Sequence, residues 1–300
     1  MPDYPKAERR FYDLRDGRIS AVHYGLISNP VKVVFANANG FNALSYKAVL
    51  EPLGVHAIAL DMRGQGMSEL PYDPKGLKSW HIFSEDIAEF ITRYVDNPVV
   101  VAGHSFGAVS AILAAPLLKE KMSGYVGFDP VALPRVYGQV SLLPGARGLM
   151  KRYFPLAHKS GKRRAHFESL EAAFNRLQGR GAFKGMRDDV LLNYLEGGLI
   201  ADGEGVRLTC DPQWEQAIFV AQGHNLYKAA RALPRANSHI TFAGKYGAVS
   251  AASTRKAFTD ILGAQSITYN DELTHMFPLV EIDYATARLK DVISKVALYS

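Results

Sequence analysis

Long apolar runs are absent from this chain. No stretch of about 18 apolar residues occurs in its 300 positions, the length a bilayer-spanning helix requires, so no membrane span is expected. Cysteine is nearly absent as well. Cys210 stands alone, which excludes an internal disulfide and fits a cytoplasmic location. The N-terminus, Met1-Pro2-Asp3-Tyr4-Pro5-Lys6-Ala7-Glu8-Arg9-Arg10, is polar and has no apolar stretch behind it. It does not read as a secretory signal. The nine histidines are scattered, and no His/Cys pair stands at ligand spacing, so no metal site is expected. There is no internal repeat and no low-complexity tract.

What is present is the balance of a soluble globular protein, 48% apolar and 21% charged. The length suffices for one large α/β domain with an insertion, or for two ordinary domains. The net charge of +6 is unevenly placed. Lys151, Arg152, Lys159, Lys162, Arg163 and Arg164 fall within fourteen residues. A solvated basic face is the plain reading. Attraction of an acidic substrate and contact with anionic lipid are the sharper ones. Nucleic acid is not expected, because no recognised binding motif accompanies the charge.

Three segments differ in texture. In residues 1–131, Arg10–Leu14 and Ile19–Tyr24 flank the turn Arg15-Asp16-Gly17 and read as a hairpin. Val31–Ala36, His56–Leu60, Pro98–Ala102 and Gly124–Phe128 read as further strands. Trp80, Phe83, Ile87, Phe90, Ile91 and Tyr94 are spaced for one face of a helix over Leu77–Val95, and Ala108–Leu118 is a second helix. Residues 237–300 return to this alternation, with strands at His239–Phe242 and Ser266–Tyr269 and helices at Thr254–Leu262 and Tyr284–Ala297. Such alternation predicts the α/β class: a mostly parallel, twisted sheet with helices on both faces. Residues 132–236 interrupt it and read as a helical cap over a core made of 1–131 and 237–300. The cap carries Leu142, Leu143, Leu149, Met150, Tyr153, Phe154, Phe167, Phe174, Phe183, Leu191, Tyr194 and Leu195. At helical spacing these are expected first as cap core, with some facing a pocket for an apolar group.

The chemistry begins at Gly103-His104-Ser105-Phe106-Gly107, a match to G-x-S-x-G. The pattern alone is weak, but here a buried apolar strand ends directly before it and an alanine-rich helix starts directly after. A serine on that sharp turn is lifted above the sheet in a strained backbone conformation. Side chains two positions away on either side would collide with the neighbouring strand and helix. The turn leaves the N–H of Phe106 free to face an oxyanion, at the positive end of the helix. A serine hydroxyl is a poor nucleophile without an adjacent base. His275, in Thr274-His275-Met276-Phe277-Pro278 just past the last strand, is the candidate. Its rivals are His23, His56, His81, His104, His158, His166, His224 and His239. His104 adjoins the serine, but adjacent residues on this turn point apart.

Four blocks now stand in order: Asn37-Ala38-Asn39-Gly40-Phe41, Asp61-Met62-Arg63-Gly64-Gln65-Gly66-Met67-Ser68, Gly103-His104-Ser105-Phe106-Gly107 and Thr274-His275-Met276-Phe277-Pro278-Leu279. In this the chain resembles the α/β-hydrolase superfamily, in particular its cap-bearing esterase- and lipase-like members related to haloalkane dehalogenases. The resemblance covers both core segments and leaves the cap unassigned. It implies a serine hydrolase that forms an acyl-enzyme without a cofactor and acts on a small ester-like molecule. A serine nucleophile argues against dehalogenase or epoxide hydrolase activity, which in this superfamily relies on aspartate. Asp61, Arg63 and Gly64 are expected to brace the loop beside the site.

The chain also departs from the family. The triad acid usually follows the strand before last, where this chain has Gly244-Lys245-Tyr246-Gly247-Ala248-Val249. Gly247 stands in the place of the aspartate, and the next acid, Asp260, lies inside a helix. Either the triad is broken or the acid comes from elsewhere. Phe128-Asp129-Pro130-Val131-Ala132-Leu133-Pro134 resembles the segment of certain haloalkane dehalogenases whose acid follows the strand after the nucleophile helix, which implies Asp129. The alternative is an Asp-Pro turn that merely closes the strand. Asp271 and Glu272 are nearer His275 in sequence and read as loop surface. Relatives supply the second oxyanion N–H from a His-Gly-x loop, which here is Asn37-Ala38-Asn39. This places the donor at Asn39, with Phe41 as the other alignment. The expectation is a carboxylic ester hydrolase. Thioester, lactone, amide or carbon–carbon cleavage is the enzymatic alternative, and a non-catalytic binding protein on the same fold is the other.

Overall fold

The computed structural model describes residues 7–244, 247–248 and 252–298. The polar residues 1–6, and Lys245, Tyr246 and Val249 of the segment in which Gly247 replaces the usual acid, lie outside the described residues. Strands β1 (Glu8–Leu14) and β2 (Gly17–Tyr24) form an antiparallel hairpin across Arg15-Asp16. Strands β3 (Val33–Ala36) and β4 (Ala57–Leu60) follow, then helix α1 (His81–Tyr94), β5 (Val99–His104), α2 (Phe106–Leu118) and β6 (Met122–Phe128). The insertion contains, among other short helices, α3 (Ala146–Tyr153), α4 (Pro155–Ser160), β7 (His166–Phe167), α5 (Asp188–Gly198), β8 (Leu199–Asp202), β9 (Gly205–Leu208) and α6 (Pro212–Val220). The chain then returns through β10 (Ser238–Ala243), α7 (Ala252–Leu262), β11 (Ile267–Asn270) and α8 (Ile282–Leu298).

Eight strands form one sheet in the order β1-β2-β4-β3-β5-β6-β10-β11. Only the β1/β2 and β2/β4 pairs are antiparallel; the others run parallel. Alternation along the strands explains why both faces are covered. Val34, Ala36, Ile58, Leu60, Val99 and Val101 face α1, α2 and α7. Val33, Phe35, Ala57, Ala59, Val100 and Ala102 face α8 and part of the insertion. The α/β class expected from the strand–helix alternation is the class observed, and element ends differ by a few residues. Because β3 to β6, β10 and β11 are parallel, their carboxyl ends meet along one rim. Loops at such a rim are where open α/β sheets place their ligands.

The insertion is mostly helical and adds a three-stranded antiparallel sheet, β7-β9-β8, that the helical pattern did not announce. Its signal was Asp202-Gly203-Glu204-Gly205. Asp202 pairs with Gly205, so Gly203-Glu204 is a two-residue hairpin turn with Gly203 at φ 59°. Phe167, Phe183, Leu191, Tyr194 and Leu195 are buried, in one cluster with Val33, Phe35 and Val100 of the sheet. Leu142, Leu143, Leu149 and Tyr153 are not, and here the expectation is corrected: they are 58–68% exposed. Helical spacing predicts an apolar stripe on a helix; it does not say that another element covers it. Among the described residues no helix is long and apolar enough to cross a membrane.

A buried polar chain ties the hairpin to the sheet. The His56 imidazole donates through Nδ1 to the Asn29 carbonyl at 2.8 Å. His23 Nδ1 lies 2.9 Å from His56 Nε2, and the Tyr12 hydroxyl lies 2.7 Å from His23 Nε2. A carbonyl only accepts, so His56 Nδ1 carries a proton. Burial, and then the neighbouring His56, lower the His23 pKa to about 4. The unfolded chain therefore takes up that proton first as pH falls. Stability is expected to drop as pH is lowered from about 6.5 toward 4, by about 1.4 kcal/mol per pH unit from His23. Urea unfolding across this range should show the loss, and a shallower one in His23→Gln. An equal slope in the two proteins would refute the assignment.

Candidate active site

Strand β5 ends at His104 and α2 begins at Phe106, so Ser105 alone makes the turn between them. It adopts φ 57° and ψ −117°, a conformation that non-glycine residues rarely enter. Its N–H is anchored 2.8 Å from the Phe128 carbonyl at the end of β6. Close contact explains the flanking glycines. A Cβ on Gly103 would stand 2.6 Å from the Ala108 nitrogen, and one on Gly107 would stand 2.2 Å from the Ala36 carbonyl oxygen.

Asp129 follows β6 directly, with a left-handed φ of 42° and no exposure. Its Oδ1 accepts the Ala243 N–H at 3.0 Å, and its Oδ2 accepts the Ala248 N–H at 2.8 Å. The same Oδ2 lies 2.5 Å from His275 Nδ1. His275 Nε2 lies 2.9 Å from the Ser105 Oγ. The structure thus brings Ser105, His275 and Asp129, drawn from three loops, into one chain of hydrogen bonds. A carboxylate on the Nδ1 side assigns the ring proton to Nδ1 and leaves Nε2 to accept from the serine hydroxyl.

The rival acids stand apart from this chain. Asp260 pairs with Lys256 at 2.8 Å on the exposed side of α7, and Asp271 and Glu272 are exposed. At Gly247 a Cβ would lie 2.0 Å from the Ala243 carbonyl oxygen, so an aspartate there needs a backbone shift. The segment that lacks the acid gives Asp129 an N–H instead, from Ala248.

The loop after β3 lies beside the serine. Ala38 N–H donates to the Tyr46 hydroxyl at 3.1 Å, Gly40 N–H to Gln65 Oε1 at 3.1 Å, and Phe41 N–H to the Ala38 carbonyl at 3.0 Å. Of residues 38–41, Asn39 alone has a backbone N–H with no acceptor among the described residues. That favours Asn39 over Phe41 as a donor. Phe106 is the first residue of α2, where a helix leaves its N–H groups without internal partners. The neighbouring loop is braced as its sequence suggested. Asp61 accepts from the Ala43 N–H at 2.7 Å and the Met67 N–H at 3.0 Å, and Arg63 grips Asp86 at 2.7 and 2.9 Å. A Cβ on Gly64 would meet the Trp214 indole nitrogen at 2.3 Å. Among the described residues no cluster of His, Cys, Asp or Glu could hold a metal ion.

The sequence model described as the alpha/beta hydrolase family matches residues 33–262, well over half of the chain. The chain belongs to the alpha/beta hydrolase family. Esterase Rv0045c of Mycobacterium tuberculosis is 30% identical over 152 residues, 48% of each protein, so the match spans about half the length of that relative. In structure the same esterase aligns over 98% of this chain and 93% of its own, at 20% identity and a TM-score of 0.69. The E-2-(acetamidomethylene)succinate hydrolase aligns over 96% of this chain and 100% of its own, at 17% identity and a TM-score of 0.78. The thioesterase domain of the curacin biosynthetic pathway does so over 97% and 100%, at 16% and 0.73. At these identities the structural likeness is one of fold.

The chain also holds residues whose role its sequence does not announce. His104, set aside as a base, is fully buried, and its Nε2 lies 2.8 Å from the His275 carbonyl. Since a carbonyl only accepts, Nε2 carries the proton and Nδ1 accepts from the Tyr46 hydroxyl at 2.9 Å. Burial, and then His275, push the His104 pKa well down, so the ring stays neutral. The Tyr46 oxygen in turn takes the Ala38 N–H. One buried relay therefore joins the Asn39 loop to the backbone of His275. Nothing in the sequence pointed to Tyr46, since a buried tyrosine reads as core. On the other side of the loop, Asn39 Nδ2 donates to the Glu215 carbonyl at 3.0 Å, and Arg163 pairs with the Glu215 carboxylate at 2.9 Å. Arg163 thus leaves the basic surface cluster and turns inward. Burial, and then Glu215, push the Cys210 thiol well up, which keeps it protonated.

Tyr46→Phe removes one hydroxyl and strands two buried groups, the Ala38 N–H and His104 Nδ1. It should cost about 2 kcal/mol or more in urea unfolding. Tyr24→Phe is the control, since among the described residues the Tyr24 hydroxyl serves only the Ala43 carbonyl, at 3.1 Å. A loss at Tyr46 no larger than at Tyr24 would argue against the relay.

Proposed function

We propose that this hydrolase cleaves a carboxylic ester through an acyl-enzyme on Ser105. The observation that carries the reading is the hydrogen-bond chain Ser105–His275–Asp129, with its 2.9 and 2.5 Å links. As the Ser105 Oγ attacks the ester carbonyl, its proton passes to His275 Nε2. Asp129, held by the Ala243 and Ala248 N–H groups, keeps the imidazole in the Nδ1–H tautomer and stabilises the imidazolium that forms. The N–H groups of Phe106 and Asn39 receive the oxyanion, at a helix end that favours negative charge. Collapse expels the alcohol, which takes its proton from His275. Water, deprotonated by the same histidine, then attacks the acyl group and restores the serine.

The esterase named among the relatives supports an ester as the bond cleaved. The thioesterase domain among the structural neighbours is the observation that keeps a thioester as the second reading. A binding protein without activity has no need of a serine, imidazole and carboxylate in hydrogen-bonded sequence, which weighs against that alternative. Residues 132–236 serve in this reading as the cap that selects an apolar acyl or alcohol group.

Hydrolysis of p-nitrophenyl esters of increasing acyl length is the test. Ser105→Ala should lower kcat/KM on the order of a thousandfold or more, and Asp129→Asn by about 10²–10⁴-fold with little change in KM. A serine-directed phosphonate should add its mass to Ser105 in the wild type. Full esterase activity in Ser105→Ala, or in Asp129→Asn, would overturn the corresponding role. Thioester turnover far above that of the matched oxygen ester would move the assignment to the second reading.

A further inference from the structure

Of the fourteen large apolar side chains exposed among the described residues, six lie between Val140 and Leu156. Leu143, Leu149, Tyr153 and Leu156 are 56–68% exposed. A lone exposed leucine needs no explanation, but a concentration of them marks a surface that meets something. The charge around them is one-sided. Between Pro130 and Phe167 the chain contains eight Lys and Arg and no Asp or Glu. Arg163 is occupied by Glu215. Arg152, Lys159, Lys162 and Arg164 are exposed, and among the described residues no carboxylate pairs with any of them. On α3, Leu149, Arg152 and Tyr153 share the exposed side, and the Arg152 guanidinium lies 5.4 Å over the Tyr153 ring. Leu156 and Lys159 continue the same mixture on α4. Leu143, Arg147 and Lys151 border one recess, so the turn before α3 belongs to the same surface.

We propose that this face of the insertion docks on an anionic lipid surface. Exposed leucines and a tyrosine among unpaired cations suit a bilayer interface, where apolar side chains enter the acyl boundary and Lys and Arg meet the headgroups. Nucleic acid would use the cations and leave the leucines in water. A second copy would bring the same cations face to face, since a two-fold interface presents one patch to itself. The surface lies outside the Ser105–His275–Asp129 chain, so this inference stands whichever bond the enzyme cleaves.

Co-sedimentation of the full chain with vesicles tests it. Binding is expected to mixed phosphatidylcholine–phosphatidylglycerol vesicles, to be at least about tenfold weaker to phosphatidylcholine alone, and to weaken with added salt. Arg152→Glu with Lys159→Glu should weaken it about tenfold or more. Leu149→Ser with Tyr153→Ser should weaken it at every salt concentration, because the apolar part is not screened. Both double variants lie on exposed positions and should keep the wild-type melting temperature and circular dichroism. Wild-type protein that stays in the supernatant with the mixed vesicles would overturn the proposal. So would binding of an RNA or DNA oligonucleotide as tight as that to the vesicles. A dimer in sedimentation velocity that Leu149→Ser with Tyr153→Ser dissolves would overturn it too, by assigning the face to a second copy.

Discussion

A carboxylate with no exposure is tolerable only where donors surround it, and Asp129 is such a group. Its donors are the Ala243 N–H at the end of β10, the Ala248 N–H beyond it, and His275 from the loop after β11. These come from parts of the chain more than a hundred residues away. They meet because β6 lies beside β10, and β10 beside β11, in a parallel sheet. The same arrangement sets the tautomer of His275 and its distance from Ser105. Loss of any one donor would leave the others holding a charge that the interior disfavours. The site is therefore bound to the registry of three neighbouring strands.

The rest of the rim is fitted to this with little slack. Ser105 sits in a strained conformation that two glycines make room for, and Gly107 lies against the carbonyl of Ala36 at the end of β3. The loop that leaves β3 is held from below by Tyr46 and Gln65 and from above by Glu215 of the insertion. Of residues 38–41, Asn39 alone keeps a backbone N–H with no acceptor among the described residues. The insertion is thus joined to the loop by buried polar bonds on its inner side, while α3 and α4 present uncovered leucines and cations on its outer side.

Much of this was legible in the residues. The G-x-S-x-G turn could be read because its glycines answer a local steric demand. The parallel sheet could be read because doubly buried strands, such as Val99–His104, are continuous apolar runs. Asp129 was reached through a resemblance, with the missing acid at Gly247 as the prompt. Other features were not legible. The hairpin around Gly203 was concealed by its helical surroundings, although Asp-Gly marked it. The exposure of Leu149 and Tyr153 was invisible because spacing records a stripe and not its partner. Tyr46 and His104 gave no sign of their relay, since its ends lie in loops distant in sequence.

The sequence by itself determined the class of fold, the turn that carries Ser105, and the candidate histidine. Each of these follows from local sterics, from short-range periodicity, or from residue types that few other roles require. The tertiary structure alone decided which backbone N–H groups remain free, which buried rings are neutral, and which apolar side chains of the insertion meet water. Those outcomes depend on what packs against a residue from elsewhere in the chain, and adjacency of that kind is written in the strand order and not in the neighbouring residues.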